Sequence, residues 1–252
     1  MRLREPVAKA PPAMIPVRRR PQPNGTSDVF LGMSTTATAI SGVGRAQSLG
    51  EELANALSHG IGALAALGAL PVLIAAAARA KSMPSWPYLV FGLSLVALLS
   101  ASAIYHAAAS PELKRRLRVL DHSSIYVLIA GTYTAYSVCY LGGAEGWVLF
   151  GLEWAIAAGG IFLSAYRIDK FRAAGPLIYL AMGWLIAPVF GRLRAALPSE
   201  AFALLVAGGA AYTLGIAFYA IKRVPYFHAV WHLFVLAGAA CHLVSLLISA
   251  RY

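Results

Sequence analysis

The chain is short of charge. Only 12% of its 252 residues are Asp, Glu, Lys or Arg, while 59% are hydrophobic. A soluble domain carries about one quarter charged residues, so this composition excludes an ordinary soluble protein and points to a membrane. Acidic residues are the scarcer sign, ten against 21 Lys and Arg, for a net charge of +11. A nucleic-acid binder gathers such an excess on a soluble face beside polar or aromatic readout groups. Here the basic residues sit in tails and loops between apolar runs, so no nucleic acid is expected as a partner. Cysteine is nearly absent. Cys139 and Cys241 each lie inside an apolar run and match no CxxC or zinc-ribbon spacing. That excludes a disulfide framework and a thiolate metal site, and leaves two buried thiols acting as small hydrophobes.

Also lacking is a convincing signal peptide. Residues 1–47 mix Arg2, Arg4, Lys9, Arg18, Arg19 and Arg20 with many prolines, then a Ser/Thr/Gly/Ala stretch. No core can be built from this composition, which reads as a disordered basic arm. The apolar stretch behind the basic run is broken by Gly, Ser and Thr, so a retained cytoplasmic tail is expected.

What is present, over residues 48–252, is a series of apolar runs of membrane-crossing length separated by short polar loops. The runs predict helices near 53–78, 86–108, 120–141, 146–166, 174–193, 201–221 and 228–249, seven in all. About 20 apolar residues cross ~30 Å of hydrocarbon as helix. They lack the alternation of a membrane β-barrel strand. The fold class is therefore all-α, a seven-helix transmembrane bundle. The fifth run is the weakest, interrupted by Pro176 and Pro188 and closed by Arg192 and Arg194. Proline is tolerated where neighbouring helices satisfy the freed backbone groups.

Seven spans divide the loops into two sets. Sixteen of the 21 Lys and Arg fall with the N-terminal arm and five fall on the other side. The positive-inside rule then puts the N-terminus in the cytoplasm and the C-terminus on the outer side. An even number of spans breaks this asymmetry, which favours seven.

Ionisable side chains are costly within a bilayer and usually face a bundle interior or a wet cavity. His228 and His232 open the seventh run four residues apart, on one helix face. Ser102 and His106 share the same spacing near the end of the second run, and Asp121 begins the third. With the orientation above, all five groups lie at similar depth on the cytoplasmic side. Three imidazoles suit zinc, and three protein ligands leave the open position of a catalytic site. The pattern predicts His106, His228 and His232 as metal ligands. A metal-activated water can serve as nucleophile near neutral pH, with Asp121 as proton acceptor or as the group that orients a ligand imidazole. Ser102 can hydrogen-bond the water or polarise a carbonyl.

Each residue also has a plainer role. A single His at an interface commonly snorkels or forms a structural hydrogen bond, and Asp121 can pair with a basic residue such as Arg118. His122 is expected to face about 100° away from Asp121. His242 lies ten residues past His232, about 15 Å along a helix, too far for the same site. His59 shares a face with Asn55 toward the cytoplasm and suits either an outer-sphere or a structural role. Glu153, in the outer half of the fourth run, is expected to form a buried polar pair or lie at the interface.

These residues carry a family resemblance. Glu51-Glu52-Leu53-Ala54-Asn55 with Ser58-His59-Gly60, Ser102 and His106, Asp121 to Tyr126, Ile129 to Thr134, and His228 with His232 resemble the hemolysin III family. That is the bacterial branch related to the progestin and adiponectin receptors, in a wider group that includes alkaline ceramidases. The likeness covers roughly residues 48 to 250. It implies a seven-helix bundle with a cytoplasmic N-terminus in the bacterial inner membrane. It also implies zinc on His106, His228 and His232, with Asp121 contacting metal-bound water beside Ser102. Ala135 departs from the pattern, which leads us to expect proline after the Gly-Thr-Tyr-Thr run, and so bears on a local kink.

The expected activity is zinc-dependent hydrolysis of a lipid amide or ester, with ceramide-like shape suggested by the relatives alone. The rival expectations are a receptor-like sensor with structural zinc and a hemolysin-type cytolysin or channel. A secreted toxin needs a water-soluble stage, which spans from residue 53 onward do not favour.

Overall fold

The computed structural model describes residues 45–80, 83–167 and 174–251. The basic arm expected over residues 1–47 lies outside the described residues up to position 44. Arg45 and Gln47, at its end, make contacts with the first helix.

Among the described residues there is no strand. The helices are α1 (Leu49–Arg79), α2 (Trp86–Ala107), α3 (Pro111–Tyr136), α4 (Gly143–Arg167), α5 (Ala174–Trp184), α6 (Phe190–Ala196), α7 (Ser199–Ala220) and α8 (Phe227–Ser249). A π-helical turn, Ser137–Leu141, prolongs α3. With α5 and α6 together forming the fifth, seven segments are long and apolar enough to cross a membrane. Neighbours in sequence pack side by side from α1 to α4, α7 packs on α8, and α8 returns to α1.

Helix α1 begins at a capping box. Ser48 Oγ accepts from the Glu51 N–H and Glu51 Oε2 accepts from the Ser48 N–H, satisfying two end donors reciprocally. The other Glu51 oxygen accepts from the Tyr226 N–H at 2.9 Å. Tyr226 is the one described non-glycine residue with positive φ, 62°, and it immediately precedes α8. One buried carboxylate thus ties the start of α1 to the start of α8. Further along, a Cβ on Gly62 would fall 2.4 Å from Leu236 Cδ2, so the missing side chain lets α1 and α8 approach. Glu51, Asn55 and His59 are buried on the inner face of α1, while Leu53, Leu57, Ile61 and Leu64 are exposed. This polar-in, apolar-out arrangement suits a helix whose solvent is lipid.

The third span starts nine residues earlier than its hydropathy predicts. Ser110 caps α3, accepting from the Leu113 N–H, and Pro111 occupies the first turn. Glu112 pairs with Arg115 and Arg116 along the surface. Lys114, Arg115, Arg116 and Arg118, expected in a loop, therefore stand on helix. This span is the least apolar of the seven and the most enclosed by its neighbours. Ala135 is fully buried in regular helix, and the chain departs from α-geometry only after Tyr136.

The fifth span breaks at Pro188, while Pro176, also expected to interrupt it, is accommodated in the first turn of α5. Pro188 has no N–H to bond back to the Trp184 carbonyl, and α5 ends at Trp184. Tyr133 repairs the break: its hydroxyl donates to Gly183 O at 2.9 Å and accepts from the Ile186 N–H at 3.0 Å. A side chain of the most buried span supplies what the interrupted helix cannot.

Cys139 and Cys241 are unpaired and only half-buried. Glu153 is fully buried in α4, and neither of its carboxylate oxygens has a hydrogen-bond partner among the described residues, so the expected buried pairing is not formed.

Candidate metal centre

Four helix ends converge on one end of the bundle: the starts of α1, α3 and α8 and the close of α2. His106 is the penultimate residue of α2, while His228 and His232 occupy the first two turns of α8. One potential ligand atom from each of these three histidines lies within 4.8 Å of the others. The ring centroids are 5.2 Å apart for His106 and His228, 5.0 Å for His106 and His232, and 4.8 Å for His228 and His232. Among the described residues this is the one cluster of His, Cys, Asp or Glu with metal-holding geometry. His106 and His232 are buried and His228 half-buried.

The donor set fits a metal on a second count. His106 Nδ1 is engaged, 2.8 Å from Glu52 Oε2. His106 Nε2 is buried and has no hydrogen-bond partner. A buried ring nitrogen left without a partner is costly, and a cation shared with two neighbouring imidazoles would satisfy it. His232 is oriented too, with Nδ1 3.3 Å from the Asn55 carbonyl and 3.4 Å from Ser58 Oγ.

Asp121 and Ser102 flank the cluster, both buried. The Ser102 side chain lies close enough to interact with the Asp121 carboxylate. Asp121 is within electrostatic reach of His59, His106 and His228. It stands outside the set of mutually close ligand atoms. The five residues singled out by span counting therefore do gather at one place.

Two sequence expectations need correction. His122 does not turn its back on Asp121, because its Nδ1 lies 3.4 Å from Asp121 Oδ2. Consecutive helical residues diverge by about 100° at Cβ, yet a short carboxylate and a ring can still meet through their side-chain torsions. His59, placed between an outer-sphere role and a structural hydrogen bond, forms no hydrogen bond among the described residues. Its ring stacks on His232 with centroids 3.7 Å apart, and both nitrogens are buried without partners.

Glu52 is the residue the sequence left unassigned. It bridges His106 and Lys114, whose Nζ lies 2.7 Å from Glu52 Oε1. The available signal was its spacing: Glu52, Asn55 and His59 recur at i, i+3 and i+7, on one face of α1. His242 lies apart, bonded to Leu205 O.

The model of the Haemolysin-III related family matches residues 47–243. The chain belongs to this family. It is 40% identical to Hemolysin-3 of Bacillus cereus over 195 residues, 77% of this chain and 89% of that protein. Hemolysin-3 homolog of Bacillus subtilis (strain 168) is also 40% identical, over 193 residues, 75% of this chain and 90% of its own length. Monocyte to macrophage differentiation factor of Homo sapiens is 30% identical over 163 residues, 61% of this chain and 66% of that protein. This hemolysin III family member is thus a multi-pass membrane protein with a three-histidine cluster able to hold a metal ion.

Proposed function

We propose that this hemolysin III family protein is a zinc-dependent hydrolase of a lipid amide or ester bond, working near the cytoplasmic face of a bacterial inner membrane. The observation that carries the reading is the buried, unpartnered Nε2 of His106 among two further imidazoles, with the Asp121–Ser102 pair beside them. His106, His228 and His232 would hold the ion. Three neutral imidazoles with no carboxylate among them suit zinc and leave room for one more ligand. Zinc bound there would supply Lewis-acid polarisation of a carbonyl and acidify a water molecule.

The chain's own groups supply the rest. Asp121 lies near the imidazoles yet outside their contact set, placed to accept a proton from water. Ser102, beside Asp121, can offer its hydroxyl as a donor to a substrate carbonyl. The hydrophobic surroundings favour a lipid substrate: Leu53, Leu57 and Ile104 are exposed on the helices that carry the site. The cytoplasmic placement is supported by the loop charge, since Lys114, Arg115, Arg116, Lys222 and Arg223 cluster at this end of the bundle.

A receptor-like protein with structural metal is the second reading, favoured by the likeness to monocyte to macrophage differentiation factor. A channel or cytolysin is suggested by the relatives' name alone. The first test is metal content of the purified protein, expected at one zinc per chain and abolished in His228→Ala/His232→Ala. Absence of zinc, or zinc unchanged in that variant, would sink the reading. The second is fatty-acid release from lipid vesicles by the zinc-loaded protein and by Asp121→Asn. We expect the variant to keep its metal and lose roughly 10²–10⁴-fold in rate. A zinc-loaded wild type that releases no fatty acid from amide- or ester-linked lipids favours the second reading.

A further inference from the structure

Helix α1 contributes none of the three imidazoles, yet it touches two of them. Its Asn55 carbonyl meets His232 Nδ1, and its Glu52 carboxylate meets His106 Nδ1 at 2.8 Å. Glu52 sits in the first turn of α1, 54 positions from His106 in sequence. Its other oxygen is 2.7 Å from Lys114 Nζ in α3. Three helices are thereby joined by one side chain.

The chemistry of that contact is directional. A carboxylate paired with an ammonium has only lone pairs to offer, so the proton between Glu52 and His106 sits on Nδ1. A neutral imidazole has one N–H, and its lone pair must then lie on Nε2. His106 Nε2 is the buried nitrogen with no hydrogen-bond partner. Asn55 Nδ2 stands 3.4 Å from the same Nδ1, but as donor facing donor it cannot do this work.

We propose that Glu52 is a positioning residue of the metal centre: it holds His106 as the Nδ1–H tautomer and turns Nε2 toward the ion, while Lys114 holds Glu52 in place. This rests on the metal reading above and extends it to a residue that reaches the ion only through a ligand. Carboxylates in this position orient ligating histidines and raise their basicity, and their loss typically weakens metal binding about 10–100-fold. Removing Glu52 also leaves the Lys114 ammonium near His106 without its counter-charge, which disfavours a cation further.

The experiment uses the full chain in detergent. Zinc affinity is read by competition with a chromophoric chelator, and the thermal midpoint of the metal-free protein checks the fold. Glu52→Ala is expected to bind zinc roughly 10–100-fold more weakly. Glu52→Gln, whose carbonyl oxygen accepts the same N–H without the charge, is expected to bind more weakly than wild type but more tightly than Glu52→Ala. Wild-type affinity in Glu52→Ala with an intact midpoint overturns the proposal. Should Glu52→Ala fail to fold, Glu52→Gln and Lys114→Met carry the test, each expected to be measurably weaker, and wild-type affinity in both overturns it. Zinc retained by His106→Ala removes the metal reading itself, and this proposal with it, a result no Glu52 variant can mimic.

Discussion

The ring of His59 lies flat against that of His232, centroids 3.7 Å apart and planes only 11° apart. Neither His59 nitrogen has a hydrogen-bond partner, so the ring serves the cluster as a surface rather than as a donor. His59→Phe should therefore keep the stack, with the zinc content and thermal midpoint of the wild type. His59→Ala leaves a gap beside His232 and should cost roughly 1–3 kcal/mol of stability. Heat or detergent unfolding with a zinc assay measures both. Loss of zinc in His59→Phe would mean that the imidazole itself is needed.

If His106, His228 and His232 hold a metal ion, protons compete with it for the same imidazole nitrogens. Only neutral rings bind, so acid must release the ion and alkali must favour it. Chelator competition from pH 8 to pH 5 should show zinc affinity falling throughout, with up to about three protons taken up per ion released at the acid end. A flat profile would show that His106, His228 and His232 are not the ligands.

Tyr133 carries both hydrogen bonds across the break in the fifth span. Tyr133→Phe leaves the Gly183 carbonyl and the Ile186 N–H unsatisfied in a setting with little water. We expect a loss of about 1–3 kcal/mol, seen as a lower unfolding midpoint, with zinc content unchanged because the clamp is remote from the histidines. An unaltered midpoint would show that other groups satisfy the broken helix.

Gly208 sits where α7 meets His242. A Cβ there would fall 2.5 Å from His242 Nε2 and 3.0 Å from the Gly238 carbonyl. His242 is held by its bond to Leu205 O and cannot easily retreat. Gly208→Ala should destabilise by about 1–3 kcal/mol through overpacking. Gly209→Ala, with nothing within 4 Å of its added carbon, is the neutral control. Equal midpoints for the two variants would contradict the close helix packing.

The spans were legible because hydropathy and length are properties of single segments. Trp86–Ala107 and Phe227–Ser249 lie within a residue of their predicted limits. The start of α3 was not legible. A polar helical extension held by the Ser110 cap and the Glu112 pairs carries no hydropathy signal. The histidine cluster could be read because spacing and depth constrain His106, His228 and His232 without any knowledge of side-chain contacts. Glu52 could not, because its meaning depends on two partners, His106 and Lys114, that lie on other helices. The turn of His122 toward Asp121 was hidden for a related reason, since helical angles fix where Cβ points and leave the outer torsions open.

Being the least apolar and the most enclosed, α3 has a consequence for biogenesis. A segment that carries Asp121, His122 and several basic residues in its first two turns gains less from lipid than the other six spans. Its stay in the bilayer depends on α2 and α4 arriving to sheath it. During insertion the third helix is therefore expected to be retained by its neighbours more than by the lipid itself.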